Sequence, residues 1–262
     1  MPMFHSETSK LVLRRGPTDL MESSPCLAFA EPGHGSDLAG VETRGEVVGN
    51  EIIVTGVKMW VAAADRATAA LVLCWTDPVA LSCVLVPLHD NNVELRPIRD
   101  MSGDTRVFEM VFDGARAPLT NVVGERGDGL RVAMAALKRV PWLDAEREFW
   151  DLVDLARQYG RSGDPLVRQQ LAWAYSQVRI IHALAEREQS LADLVWSEYH
   201  RRLGEIAVDV MGPDALVRPD GEAYAANRWQ HVFLASRADT IATGTSEVQR
   251  DRIAERVLGL PR

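Results

Sequence analysis

The chain has 262 residues and a formal net charge of -8, from 29 Lys and Arg against 37 Asp and Glu. With 47% hydrophobic and 25% charged residues it can bury a large core, and this composition argues against a disordered or low-complexity chain. The acidic balance argues against nucleic acid as a partner, because proteins that bind it neutralise phosphates with clustered cations.

The cysteines and the first residues bear on location. Cys26, Cys74 and Cys83 form an odd set without metal-ligand spacing, so we expect no metal site, no disulfide framework and a reducing, cytoplasmic environment. No apolar run approaches the ~20 residues of a membrane span. Residues 1–23 lack the apolar stretch that is typical of a secretory signal, and we interpret them as a leader.

Residues 24–123 are predicted to form a β-domain of short strands. Residues 46–48 and 52–54 flank Gly49-Asn50, which is a two-residue hairpin signal. Four further apolar runs end at turn residues, at 70–75, 83–87, 93–95 and 107–112. A series of this kind predicts an antiparallel barrel or sandwich.

From residue 124 the hydrophobic period becomes helical, and residues 124–262 are predicted to form a C-terminal helical bundle. One apolar stripe runs from Leu171 to Ile181 and another from Leu191 to Val210. Five helical segments are predicted in this region, with breakers at 160–165, 212–214 and 217–221. The predicted fold class is therefore α+β.

Three motifs carry candidate chemistry. Residues 27–37 predict a strand and then a turn with two glycines, where backbone N–H groups and the Ser36 hydroxyl can approach an oxyanion; the alternative is a plain tight turn. Trp60, near the end of the motif at 54–62, is either a core residue or a residue that packs beside a flat cofactor ring. The Gly-Thr-Ser step in residues 241–250 is typical of a helix cap.

Taken in order, these segments resemble the acyl-CoA dehydrogenase family. The family's Thr-Glu-Pro-x-x-Gly-Ser-Asp loop falls on 30–37 and its Asn-Gly-x-Lys-x-Trp-x-Thr segment on 55–62. Its Met-Gly-x-Arg to Asn-x-x-Gly region falls on 101–124, and its Ile-Tyr-Glu-Gly-Thr-x-x-Ile-Gln-Arg ending on 241–250. The resemblance covers about residues 24–262 and implies that the family's N-terminal helical domain is missing.

The resemblance implies an FAD-dependent oxidoreductase of lipid metabolism that dehydrogenates an acyl-CoA thioester between its α and β carbons. In such enzymes a carboxylate removes the α-proton while the β-hydride passes to the flavin. The FAD-contacting positions that the resemblance implies are Ala30, Ser36, Trp60, Ala62 and Thr245.

Several positions depart from the family. The catalytic Glu of the terminal motif falls on Thr243, and the alternative base position, on the first helix after the β-domain, falls on Val140. Neither residue is an acid, so the resemblance assigns no catalytic residue. Ala30 and Ala62 replace flavin-contacting threonines, so FAD binding is expected to be weak or confined to a complex. The elements that hold the FAD of a neighbouring subunit match poorly, at residues 157–161 and 211–215.

Four acids that lie near the two base positions in sequence are candidate substitutes for the missing base. They are Asp144, Glu146, Glu148 and Asp239, and the alternative is that they lie on solvated helix faces.

Three functions stay open. In the first, the chain is a subunit of a homo- or hetero-oligomer with another acyl-CoA dehydrogenase-like chain, as in the unlike pairs of the family branch that acts on steroid side-chain thioesters. In the second, it is non-catalytic, as a structural or regulatory paralogue or as a truncated remnant. In the third, it is a self-sufficient dehydrogenase with a displaced base.

Overall fold

The computed structural model describes residues 25–137, 141–217 and 227–261, apart from the side chains of 141 and 142. The predicted leader, residues 1–23, and the family base position Val140 lie outside these ranges. The chain forms two compact units that divide near residue 139. The first is a β unit and the second is a helical unit, so the α+β fold class is confirmed.

The β unit is built on a mixed sheet. Its described strands are β1 Cys26–Ala28, β2 Arg44–Val48, β3 Glu51–Ala62, β4 Ala69–Asp77, β5 Ala80–Pro87, β6 Val93–Ile98, β7 Val107–Pro118 and β8 Val122–Val123. Their order is β6-β7-β3-β2-β4-β5-β8, with β1 beside β4. Most pairs are antiparallel as predicted, but β4 runs parallel to β1 and β2. Apolar runs predict strands without predicting their direction, so this part of the topology was not accessible from sequence.

The hairpin at Gly49-Asn50 is confirmed. Val48 pairs with Glu51 across a two-residue turn, and Gly49 has a φ of 61°. A positive φ at the first central residue, Gly49, and not at Asn50 is the pattern of a type II′ turn, and the turn sets the register of β2 and β3.

The two faces of β4 lie in two different hydrophobic clusters. Val72 packs in a core that residues of β3 and β7 share, whereas Leu71 and Leu73 pack in a second cluster. Helix α1, Gly129–Ala136, covers the second cluster. A Cβ added to Gly129 would lie 2.6 Å from the Leu81 carbonyl oxygen, so the helix begins directly against β5. The predicted boundary after residue 123 stays a prediction, and α1, which follows it in sequence, packs on the sheet.

The helical unit has one continuous core. Its described helices are α2 Ala145–Gln158, α3 Pro165–Ala185, α4 Gln189–Met211, α5 Arg228–Ala235 and α6 Ser246–Arg256. Short 3-10 helices occur at Pro141–Asp144, Gly212–Leu216 and Ala238–Thr240. The described residues after 124 therefore hold six α-helices rather than the five predicted, because α1 is too short to show a helical period.

The predicted apolar stripe on α4 is confirmed in its second half, where Tyr199, Leu203, Ile206 and Val210 are buried. The breaks at 160–165 and 212–214 also coincide with helix ends, whereas most of the break at 217–221 lies outside the described residues. Asp164 caps α3 by accepting a hydrogen bond from the Leu166 N–H at 2.8 Å, and Pro165 occupies the first turn, where its missing N–H has no cost.

Candidate functional site

The loop at residues 31–37 is a closed turn followed by an exposed segment. Glu31 and His34 exchange two backbone hydrogen bonds, with N–H to carbonyl distances of 3.0 and 3.1 Å. Ser36 is exposed beyond this turn. Asp37 then accepts a hydrogen bond from the Ala39 N–H at 3.2 Å and caps a 3-10 helix at Leu38–Gly40. The loop therefore presents Ser36 to solvent, and Asp37 caps the short helix that follows it.

A buried ion pair holds this loop on the sheet. Lys58, on β3, places Nζ 2.8 Å from Glu31 Oε1, with 0% and 6% of the two side chains exposed. The ammonium also donates to the Phe29 carbonyl at 2.9 Å. Thr43 donates its hydroxyl to the same Glu31 oxygen at 2.6 Å, and the Glu42 N–H donates to the other oxygen at 2.7 Å. Because every charge here has partners, the pair tolerates burial.

Burial by itself would raise the pKa of Glu31. The hydrogen bonds from Lys58 and Thr43 outweigh this effect and hold the pKa below its usual range. The carboxylate is therefore ionised at neutral pH. Glu31 and Lys58 were singled out by the family pattern alone, and a single lysine within an apolar strand gave no sign of its burial.

Trp60 is exposed and conformationally constrained. Its side chain is 60% exposed, and its φ of 60° lies in the left-handed region. A bulky residue there costs about 1–2 kcal/mol, so the surrounding structure must impose it. The register of β3 and β7 shifts between Lys58 and Val61, which forms an irregularity at Trp60. The indole is therefore not a core residue.

Ala30, Trp60 and Ala62 lie in one region of the β unit. The Met59 N–H donates to the Ala30 carbonyl at 2.9 Å, which joins the residue before the loop to the residue before the indole. Ala62 ends β3. The structure thus brings the 31–37 loop and Trp60 together through the backbone of β3. Arg106, just before β7, pairs with Asp104 at 2.7 Å.

The terminal motif contains a helix cap, as the plainer interpretation predicts. Thr245 Oγ1 accepts a hydrogen bond from the Val248 N–H at 3.3 Å and starts α6. Gly244 has a φ of 107°, which glycine adopts readily. The carbonyl of Thr243 accepts from Gln249 Nε2 at 2.8 Å. Thr243 itself is partly exposed and offers a hydroxyl where the family pattern has a carboxylate.

Two of the four candidate acids meet at one histidine that sequence reasoning missed. Asp239 Oδ2 lies 2.7 Å from His200 Nδ1, and Glu148 Oε1 lies 3.8 Å from His200 Nε2. Burial raises the pKa of Glu148 above its usual range. Asp144 instead pairs with Arg147 at 3.0 Å, and Glu146 is exposed. No spacing rule connects residues 148, 200 and 239, so the cluster had no sequence signal.

The two segments that match the FAD-holding elements poorly lie near each other in the helical unit. Arg161 NH1 donates to the Asp209 carbonyl at 2.6 Å, close to the end of α4. Arg157 pairs with Asp154 at 2.8 Å, one turn away on its own helix. Both arginines therefore have intramolecular partners. Among the described residues no group of His, Cys, Asp or Glu side chains is placed to hold a metal ion, and no described helix is long and apolar enough to cross a bilayer.

Comparison with known proteins identifies both units. The family model described as "Acyl-CoA dehydrogenase, middle domain" matches residues 26–115, and the model "Acyl-CoA dehydrogenase, C-terminal domain" matches residues 127–258. The chain is 40% identical over 260 residues to acyl-CoA dehydrogenase IpdE1 of Mycobacterium tuberculosis, which covers 90% of this chain and 67% of that protein. It is 26% identical over 265 residues to the human mitochondrial short-chain specific acyl-CoA dehydrogenase, covering 89% of this chain and 62% of that protein.

Solved structures give the same result. The structure titled "Tcur3481-Tcur3483 steroid ACAD" is 25% identical and superposes with a TM-score of 0.76 over 91% of this chain and 68% of that one. The ChsE4-ChsE5 complex from Mycobacterium tuberculosis shares the fold, with 23% identity and a TM-score of 0.82 over 97% of this chain and 76% of that one. From the two family models and the 40% identical relative, the chain belongs to the acyl-CoA dehydrogenase family.

Proposed function

We propose that this chain is one subunit of an FAD-dependent acyl-CoA dehydrogenase, which acts together with a second chain of the same family. The observation that carries the proposal is the joint placement of the constrained, exposed Trp60 and the exposed loop at 31–37 on one strand end. Two similar solved structures bear titles that name two different chains, which supports an unlike partner.

The β unit fits a flat, anionic cofactor. The exposed indole of Trp60 offers a stacking surface to a flat ring, and the neighbouring loop adds the Ser36 hydroxyl. A Cβ added at Gly33 or Gly35 would meet nothing within 4 Å, so there is open space beside the loop at both glycines. Ala30 and Ala62 would contribute backbone groups only.

The residues of the β unit proposed to hold FAD are therefore Ala30, Ser36, Trp60 and Ala62, and the family resemblance adds Thr245. Bound FAD would accept the hydride that leaves the β carbon of the acyl thioester. This chain would orient the flavin ring system with Trp60 and exclude water from the face of the flavin that Trp60 covers. The Thr245 hydroxyl already accepts the capping bond from Val248, and it keeps its proton to donate.

The proton-abstracting base is proposed to come from the partner. Removing an α-proton requires a carboxylate within hydrogen-bond reach, and the hydroxyl of Thr243 is not a base near neutral pH. Asp239 is occupied by His200 at 2.7 Å. An unlike pair then has one complete reaction site, with the β-face of this chain or of its partner beside the partner's base.

Counting flavins in the co-purified pair tests this proposal. We expect fewer FAD molecules than chains, because the elements of this chain that would hold a neighbour's FAD match the family poorly. One FAD per chain would contradict the proposal.

Trp60→Ala, introduced into the pair, then separates two versions of the site. Loss of flavin absorbance places the cofactor on this β-face, and unchanged flavin content places it wholly on the partner. Trp150→Ala is the matched control, since Trp150 is an exposed tryptophan in the helical unit, at 49% exposed, outside the proposed site. A pair that holds no flavin at all would favour a non-catalytic role.

A further inference from the structure

Two carboxylates from two other elements of the helical unit face the imidazole ring of His200. His200 comes from α4, Glu148 from the first turn of α2, and Asp239 from the 3-10 turn Ala238–Thr240. The ring presents Nδ1 to Asp239 and Nε2 to Glu148, at 2.7 and 3.8 Å. The three side chains are only 14%, 19% and 18% exposed, in the order His200, Glu148, Asp239.

This arrangement suits a protonated ring. A neutral imidazole carries one N–H, so it can donate to only one of the two carboxylates that face it. When that donor is Nδ1, the lone pair of Nε2 points toward Glu148. The protonated ring donates from both nitrogens and places one cation between two anions. Trp196 stacks on His200 with ring centroids 5.1 Å apart and an interplanar angle of 16°, and an aromatic face also favours a cation.

The protonated His200 ring would stabilise the charged form of Glu148. Burial raises its pKa, nearby Asp144 adds to the rise, and His200 opposes it. Its Oε2 is buried and accepts no hydrogen bond within the described part of the chain. The other titratable and charged groups on the surrounding elements include Asp144, Arg147, Tyr199, Arg228, His231 and Arg237, together with Glu198, Arg201, Arg202 and Glu205 on α4. The nearest cations among them already have carboxylate partners, since Arg147 pairs with Asp144 and Arg228 with Asp151.

The segment at 241–245 is anchored to α4 on both sides. On its N-terminal side His200 binds Asp239, and on its C-terminal side Glu198 accepts a hydrogen bond from Ser246 Oγ at 2.8 Å. Burial by itself would raise the pKa of Glu198, but hydrogen bonds from Ser246 and Arg201 hold it below its usual range. The Glu198 carboxylate therefore stays charged at neutral pH. Histidine is the side chain that changes charge near neutral pH, so the two anchors respond differently to pH.

We propose that His200 is a proton-dependent positioning residue, whose protonated ring holds the turn Ala238–Thr240 and the following segment 241–245 against α2 and α4. When the ring loses its proton, the attraction to Glu148 disappears and the hold on Asp239 weakens. The segment then loosens at its N-terminal end while Ser246 stays bound to Glu198. All these residues lie in the helical unit.

Amide hydrogen exchange of the full chain tests the proposal. Exchange is followed from about pH 5 to about pH 8, around the ordinary histidine pKa of about 6.5, and corrected for the intrinsic effect of pH. We expect protection of residues 238–245 to fall by about tenfold as the pH rises, which corresponds to a linkage of one pKa unit. Peptides from α3 report global stability and should not change.

Variants assign the pH step to His200. His200→Asn keeps a donor near the position of Nδ1 but cannot be protonated, so its protection profile should be flat. Glu148→Gln should keep the step at a lower pH, because one of the two anions that stabilise the cation is gone. His89→Asn is the control, because His89 is a surface histidine, 93% exposed, beside Asp90.

Each possible exchange result either supports or overturns the proposed role of His200. A step confined to residues 238–245 that disappears in His200→Asn supports the proposal. A flat profile in the unmodified chain overturns it without any variant. Parallel loss of protection in α3 overturns it as well, since the step is then global unfolding, and so does a step that persists in His200→Asn.

Discussion

Lys58 and Glu31 form an ion pair inside the β unit, with Nζ 2.8 Å from Oε1 and almost no exposed surface on either side chain. The pair joins β3 to the start of the loop at 31–37, and Trp60 follows two residues after Lys58. The position of the proposed flavin-stacking residue relative to the loop is therefore set by a buried charge pair.

Lys58→Met should destabilise the β unit. Methionine fills a similar volume but leaves the Glu31 carboxylate buried without its cation, which costs about 3–5 kcal/mol. Urea unfolding of the full chain measures the change. Arg96→Met is the control, since Arg96 pairs with Glu94 on the surface at 2.8 Å, where solvent screens the attraction and the loss of the pair should have little effect. Equal effects of the two substitutions would contradict the prediction.

Acid should weaken the same contact. Although burial opposes it, hydrogen bonds from Lys58 and Thr43 keep the pKa of Glu31 below its ordinary value of 4.5. A depressed folded-state pKa gives stability that is complete above the ordinary value and is lost as the pH falls through the folded one. The free energy of unfolding should therefore decrease below about pH 4.5, and less steeply in Glu31→Gln. Identical pH profiles for the two proteins would disprove this.

Gly204→Ala should destabilise the helical unit, although alanine is the better helix former by about 1 kcal/mol. A Cβ at Gly204, on α4, would lie 2.7 Å from the Phe233 Cα on α5, and backbone atoms cannot yield without moving a helix. Thermal unfolding measures the effect. Gly163→Ala is the matched control, because a Cβ there meets nothing within 4 Å. A Tm that is unchanged or raised in Gly204→Ala would rule out this close helix crossing.

The chain made without a partner should oxidise acyl-CoA negligibly. The hydroxyl of Thr243 cannot replace a carboxylate, and a general base contributes about 10²–10⁴-fold to the rate. Turnover with an artificial electron acceptor, compared with that of a complete family member, measures this. Comparable rates would mean that another acid acts as base. Asp239→Asn would then show whether that acid is Asp239.

Local patterns predicted the local structure well. The Gly49-Asn50 hairpin and the stripe ending at Val210 are confirmed, because each depends on neighbours in sequence. The exposure of Trp60 was one of two open alternatives, because a β-irregularity and its positive φ follow from strand pairing and not from composition.

Relationships between distant residues could not be predicted. His200 contacts Asp239 across 39 positions, and no periodicity links them. The parallel pairing of β4 is of the same kind, since strand direction depends on how the chain returns. The candidate cofactor residues remain predictions, because no ligand contact tests them.

Helix α1 has a consequence for how the chain can be divided. The sheet face that carries Leu71 and Leu73 is covered by Val132 and Ala136, which come after its last strand. A fragment that ends at residue 123 would leave these leucines in water and would tend to aggregate. One that continues to residue 137 retains its cover. The smallest part of the β unit that can be expected to fold alone thus includes a helix that sequence similarity assigns to the neighbouring domain.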